Sequence, residues 1–348
     1  RQSRWIGSTT RWVHTIHLIK ESPNRMVPKL KLVYLQDQNW KQCSSLSRVL
    51  LLSFLSSSMD IPIINFGDMD LAVSRRMDKA FKEVGFAVFT NVYDRWLTDF
   101  DLWEESIKQF FNLPPEVKTK YAYSGVEKNL GYSEMGTEWL HPDRPGDLKE
   151  AYNWKAPYDM EDKYWPTELP LFRTQAEKIE RIMRVLSFEF MDRFELALGL
   201  KKGFLVEKHL YGTTTARILH YPKYTGPIAD KQLRGNEHTD YDTFTMLFRF
   251  QDCGGLFVKT IQGDWVEVPV IENSVVVNIA DMFQRWTNDR YISTPHRVMN
   301  VLDRTRYSMP YFVGPNKDTI VKNLTNEPDK YPPISSYEYL LWRLAQSY

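Results

Sequence analysis

Apolar and polar positions first fall into a regular order at Ile61. Ile61 to Asn65 reads as a strand, Asp70 to Val84 as an amphipathic helix with Ala80, Phe81 and Val84 on one face, and Gly85 to Asn91 as a second strand. Phe100 to Phe111 reads as helix, resumed from Pro114 to Tyr123, where Pro114 and Pro115 suit a helix start. Gly131 to Thr137 reads as a loop. A long helix follows within Pro166 to Leu200; its apolar residues include Ile179, Ile182, Val185, Leu186, Phe190, Phe194 and Leu198, and it stops at Gly199 or Gly203. Beyond Gly203 the texture changes to short β-rich runs separated by Gly, Pro, Asn and Asp: Ala216 to Tyr221, Thr243 to Phe250, Leu256 to Lys259, Trp265 to Val268, Ser274 to Ile279, His296 to Val301 and Arg306 to Val313. Many short strands with frequent turns predict a barrel or jelly roll. Ser335 to Tyr348, with Leu340, Leu341 and Leu344 at helical spacing, predicts a closing helix.

Residues 1 to 58 lack this order. They hold nine Lys or Arg against two acids, Glu21 and Asp37, with Trp5, Trp12 and Trp40 in no regular period and a short apolar run, Val49 to Leu55, before three serines. Such a composition resembles an organelle transit peptide, and an apolar run before small residues mimics a secretory signal, yet neither pattern fits well. Met59 stands immediately before the first strand, so the expectation is a non-domain leader that is disordered, an upstream extension or a mis-called start. The apolar run is far shorter than the roughly 20 residues that span a bilayer.

The chain has 348 residues, 43% hydrophobic and 26% charged, enough for a full core. A net charge of +1 provides no general attraction for nucleic acid or an anionic membrane, so a small molecule is the expected partner, with no obligate protein partner evident. Two cysteines, Cys43 and Cys253, are too few for a disulfide framework or a thiolate zinc site. They agree with a reducing compartment, and cytoplasm is the expected location. Any metal site must then use His and carboxylate.

His238 and Asp240 supply such a pair. In an extended segment, residues two apart project to the same face and can take adjacent positions on one cation. His296, the next histidine along the chain, begins a later strand, and two imidazoles with one carboxylate make the facial triad of non-haem iron(II) oxygenases, which leaves coordination positions open. Arg306 and Ser308 repeat the two-residue spacing, and a guanidinium fork grips a carboxylate bidentately. Arg306 with Ser308 can therefore hold the distal carboxylate of 2-oxoglutarate, while Tyr221 can donate a phenol hydrogen bond to the same co-substrate.

From about Met59 to its end the chain resembles the isopenicillin N synthase-like branch of the 2-oxoglutarate and iron(II)-dependent dioxygenases, in which HxD, a distant His and RxS recur in this order. The stretches Ile61 to Phe66, Asp147 to Glu150, Gly254-Gly255-Leu256 before Gly263-Asp264-Trp265, Val277 to Asp281 and Ser293 to Val298 match as well. The resemblance implies a mainly β fold with flanking α: a double-stranded β-helix (jelly-roll) core with N-terminal helices packed around it. The expected divisions are 1–58 leader, 59–205 N-terminal region, 206–315 jelly-roll core and 316–348 tail and helix. It further implies iron(II), 2-oxoglutarate and dioxygen as the reactants at the site, with release of succinate and carbon dioxide and hydroxylation of a small organic molecule as the default outcome. Desaturation and ring closure occur in related enzymes. One departure is plain: many relatives have Asn-Tyr-Tyr-Pro where this chain has Leu219-His220-Tyr221-Pro222, so the Asn contact does not carry over.

Other residues have plainer readings. His14, His17, His141, His209 and His220 read as packed or surface histidines, Arg297 as half of a structural ion pair, and Cys253 as a small core residue. Tyr132, Ser133, Glu134, Phe283 and Gln284 are candidates to face substrate, with plain packing as the alternative. Two rivals stand beside the oxygenase: an iron oxidase of the same fold without 2-oxoglutarate, and a jelly-roll binding protein without turnover.

Overall fold

The computed structural model describes residues 14–22, 25–32, 60–138, 145–250, 254–299 and 303–345; Cys43, Cys253 and His141 lie outside them. The chain divides into two units, Arg1–Ser58 and Met59–Tyr348. In the first, His14–Ser22 pairs antiparallel with Arg25–Leu32, an element that the reading of the leader did not anticipate. Its apolar positions are interrupted by His14, His17 and Lys20, which hides the strand period.

The second unit is built on strands that alternate their side chains between two environments. In chain order they are β1 (Ile63–Asn65), β2 (Phe86–Thr90), β3 (Gly131–Ser133), β4 (Glu150–Trp154), β5 (Thr215–Tyr221), β6 (Gly235–His238), β7 (Phe244–Phe250), β8 (Leu256–Lys259), β9 (Trp265–Glu267), β10 (Val275–Ile279), β11 (His296–Val298) and β12 (Arg306–Val313). Eight form a sheet in the order β1-β2-β10-β7-β12-β5-β4-β3, and four form a second in the order β9-β8-β11-β6. Apart from the parallel β1–β2 pair, neighbours run antiparallel.

One face of the large sheet is apolar and covered by helix. Phe244, Met246, Phe248 and Phe250 of β7, Val275, Val277 and Ile279 of β10, and Tyr307, Met309, Tyr311 and Val313 of β12 share a core with residues of α1 (Asp70–Glu83), α2 (Leu97–Phe111) and α3 (Phe172–Leu198). Each such side chain, once buried, contributes about 1.5 to 3 kcal/mol, so the register is held strongly: a one-residue slip would turn the whole set to the other face. The opposite face looks toward the small sheet, with Phe86, Val88, Val276, Leu256, Val258 and Val298 in a second cluster.

Most predicted elements recur with shifted ends. Gly199, at φ +67°, caps α3 in the left-handed conformation, so of the two stops it is the one used. Gly85, at φ +74°, turns the chain from α1 into β2, and a β-carbon there would overlap the Ile292 carbonyl oxygen. The stretch from Gly131 differs from expectation: Gly131–Ser133 is an edge strand paired with β4, too short to show a period in the sequence. Val185 is 45% exposed and contributes no core, while its companions Ile179, Leu186, Phe190 and Phe194 are buried.

Candidate active site

The face of the large sheet away from the helices lines a cavity of about 250 Å³. Its wall follows the strand period: Thr215, Arg217, Leu219 and Tyr221 from β5, and Arg306, Ser308, Pro310 and Phe312 from β12. The residues between them on β12, Tyr307, Met309 and Tyr311, belong to the helix-side core. Hydrophobic alternation therefore decides which polar side chains reach the cavity. Pro310 lacks an N–H, and pairing of β12 with β5 is interrupted between Ser308 and Tyr311 where it sits.

His238, Asp240 and His296 come together on this cavity, each offering a ligand atom, all within 4.8 Å of one another. His238 ends β6 and faces His296 of β11 across the ladder, where the register shifts between His296 and Val298. Such a bulge re-aims a side chain beside a site. The imidazoles lie 4.3 Å apart between ring centroids. Nδ1 of His238 donates to the Asn236 carbonyl at 2.7 Å and Nδ1 of His296 to the Thr294 carbonyl at 3.2 Å. With Nδ1 donating to a carbonyl, each ring turns its Nε2 toward the centre, the orientation a metal ligand needs.

The carboxylate is aimed in a complementary way. Asp240 Oδ2 accepts hydrogen bonds from Thr245 Oγ1 at 2.6 Å and Asn278 Nδ2 at 2.7 Å, leaving Oδ1 at 3.8 Å from both imidazole Nε2 atoms. Burial alone would raise the Asp240 carboxyl, but His296, His238 and the two hydrogen bonds outweigh it and hold the group below its usual range. Burial, with His296 opposite, pushes the His238 imidazole down to about 3. Two imidazole Nε2 atoms and one carboxylate oxygen on a shared centre fit the donor set of a non-haem iron(II) ion.

Arg306 fits the co-substrate. It is 3% exposed, its Nε has no hydrogen-bond partner, and no carboxylate pairs with it among the described residues. Its Nη1 donates to Ser308 at 3.3 Å, and the guanidinium lies 4.6 Å above the ring of Tyr221. A buried guanidinium without a carboxylate partner among the described residues is costly, a cost that the carboxylate of a bound acid would offset. Arg234 pins this corner, donating to the carbonyls of Tyr221 and Pro222 at 3.0 and 2.8 Å.

All six residues expected at the site thus line one cavity. The substrate-facing candidates do not. Tyr132 is core and hydrogen-bonds Glu150, Phe283 is wholly buried in the helix-side core, and Gln284 donates to Asp289. Ser133 is buried, and none of the five lines the cavity. Arg297 makes no ion pair among the described residues; its guanidinium lies 4.0 Å over Trp265. His220 stacks on Tyr307 and contacts Glu150, while His209 is buried between Leu205 and Thr243. Sequence reasoning did not single out Thr245 and Asn278 as supports of Asp240. The available signal was a polar residue in an otherwise apolar strand, Asn278 in Val275–Ile279. Lys155, Asp242 and Lys317 on the wall were also unread. Burial, together with the charge of Asp240, pushes the Asp242 carboxyl up to about 7.

Comparison with known proteins agrees with this geometry. Residues 213–315 match the model of the 2OG-Fe(II) oxygenase superfamily, and residues 61–172 that of the non-haem dioxygenase in morphine synthesis N-terminal family. A proline hydroxylase of Petromyces alliaceus is 31% identical over 296 residues, covering 77% of this chain and 91% of its own. A 2-oxoglutarate-Fe(II) type oxidoreductase of Emericella nidulans is 29% identical, covering 70% and 76%. Among solved structures, a full-length Neurospora crassa protein in complex with alpha-KG superposes with a TM-score of 0.75 at 30% identity, over 82% of this chain and 96% of that one.

Proposed function

The chain belongs to the 2OG-Fe(II) oxygenase superfamily, with iron(II) and 2-oxoglutarate as its cofactors, and from that premise we propose roles for its residues. His238, Asp240 and His296 hold the iron. Arg306, with Ser308 and Tyr221, holds the distal carboxylate of 2-oxoglutarate, and the enzyme hydroxylates a small organic molecule bound in the same cavity. When bound, the iron supplies oxidation by dioxygen coupled to decarboxylation of 2-oxoglutarate to succinate and carbon dioxide.

The observation that carries this reading is Arg306, a buried guanidinium with no carboxylate partner among the described residues, on the wall that the His-Asp-His cluster also faces. What the chain's own groups do follows from their surroundings. Thr245 and Asn278 orient Asp240, and the Asn236 and Thr294 carbonyls fix the two imidazole tautomers. Leu219, Leu247 and Val298 give the cavity an apolar lining that excludes water and strengthens the charge pairing at Arg306. Hydroxylation is the outcome named for the Petromyces relative and is the one assigned here. No helix among the described residues is long and apolar enough to cross a membrane. A cytoplasmic location is part of the proposal, resting on the two cysteines, and recovery of the chain in an organelle fraction would contradict it.

The test is succinate formed from 2-oxoglutarate by the full chain with iron(II) and oxygen, beside an Asp240→Ala control, together with anaerobic binding of 2-oxoglutarate. Succinate that vanishes in the variant supports the assignment. Iron binding with neither succinate nor bound 2-oxoglutarate would sink the co-substrate role of Arg306.

A further inference from the structure

Strand register fixes the two ends of the cavity. Arg306 pairs with Tyr221 at one end of the β12–β5 ladder, and Phe312 pairs with Thr215 at the other, roughly 20 Å away at the rise of an extended strand. Lys155 directly follows β4, whose Trp154 pairs with Ala216, and Lys317 lies just beyond the last residue of β12, Val313. Both lysines therefore stand at the end remote from Arg306, and both line the cavity.

Of the other basic groups on this wall, Arg217 pairs with Glu138 and Lys149 with Asp147, while Arg306 has no carboxylate partner among the described residues and is assigned above to the co-substrate. Among the described residues no carboxylate lies within ion-pair distance of Lys155 or Lys317. Lys155 is half-buried, and burial with the nearby Lys317 holds its ammonium below the usual value despite the opposing charges of Asp159 and Asp242. Lys317 sits at the rim, its Nζ 5.0 Å over the ring of Tyr337. Two ammonium groups of like charge beside a cavity, one of them partly desolvated, cost free energy that an anion between them would offset.

We infer that this end of the cavity is a substrate subsite for a carboxylate, so that the molecule oxidised is a small organic acid anchored by Lys155 and Lys317. The inference rests on the oxygenase reading of the same cavity. It gives the two carboxylate sites separate owners: Arg306 for the co-substrate and the lysines for the substrate.

The test uses the full chain loaded anaerobically with iron(II) and 2-oxoglutarate, so that binding is measured without turnover. Equilibrium dialysis compares benzoate, phenylacetate and cyclohexanecarboxylate with their primary amides, which have nearly the same shape without the charge. At least one acid is expected to bind about ten-fold or more tightly than its amide, the worth of one charge-assisted hydrogen bond. Lys155→Met should abolish that preference, Lys155→Arg should keep it, and Lys317→Met, at the rim, should reduce it about three-fold, as expected of a more solvated charge. Lys163→Met, exposed and off the cavity wall, is the control and should leave the preference unchanged. If no acid is preferred to its amide, or if the preference survives Lys155→Met, the subsite is overturned. Retention of 2-oxoglutarate in the same dialysis reports on the oxygenase reading separately, so the two can fail independently.

Discussion

Asp240 is held on one oxygen so that the other can serve the centre, and this restraint can be removed without touching a ligand. Thr245 Oγ1 and Asn278 Nδ2 both donate to Oδ2, at 2.6 and 2.7 Å, while Oδ1 stands 3.8 Å from each imidazole Nε2. Thr245→Val keeps the side-chain volume and deletes the hydroxyl; Asn278→Leu deletes the amide from a strand whose other positions are apolar. A hydrogen bond to an ionised group contributes about 1.5 to 3 kcal/mol, and support of this kind to a metal ligand is worth roughly 10- to 100-fold in metal affinity. Each single variant should therefore bind iron(II) about ten-fold more weakly. The double variant should lose less than the product, because the carboxylate can rotate once either restraint has gone. The assay is an anaerobic iron(II) titration with 2-oxoglutarate present, following the visible charge-transfer absorbance of the complex, with circular dichroism melts to establish that each variant is folded. If both single variants bind iron within two-fold of wild type while Asp240→Ala does not bind it, then the hydrogen bonds to Oδ2 do not set the ligand's position and the reasoning fails.

Three further outcomes follow from the same structure. Arg306→Leu removes a fully desolvated charge partner and should weaken 2-oxoglutarate binding about 100-fold, by isothermal titration calorimetry; a change under three-fold would contradict the role. Gly85→Ala places a β-carbon against the Ile292 carbonyl at a positive φ and should lower unfolding free energy by roughly 2 to 4 kcal/mol in urea denaturation, whereas Gly136→Ala, with open space around it, should lose only the smaller backbone term. His209 is pushed down to about 4 by burial, from an unperturbed 6.5. The unfolded chain therefore takes up its proton first as pH falls, so between pH 6.5 and 4 stability drops, by about 3 kcal/mol in all; His209→Gln should flatten that part of a stability-against-pH curve, and an unchanged slope would show that other groups set it.

The parts of this protein that could be read from the chain are those where local pattern and chemistry coincide. The long helix Phe172–Leu198 has both a period and a glycine stop, and β12 keeps cavity-facing and core-facing residues on alternate positions through all of Arg306–Val313. That alternation by itself puts Arg306 and Ser308 on one face, and the spacing of His238 and Asp240 does the same for the metal. Three-residue strands such as Gly131–Ser133 are too short to have a period, and they exist only because a neighbour supplies the ladder.

The residues whose place the chain does not reveal share a different cause: that place depends on the elements that pack around them. Phe283 and Gln284 lie between Asp240 and His296 in sequence, yet the helix Asp281–Trp286 turns Phe283 into the helix-side core. Lys155 and Lys317 are far apart in the chain and look like surface charges until the β4–β5–β12 register brings them to one end of one cavity. A ligand set packed into two strand positions and one later histidine is a short-range signal with strong chemistry, so it survives in sequence. A pair of lysines just past the ends of two strands is a property of register alone, which is why the His-Asp-His end of this cavity was legible and the lysine end was not.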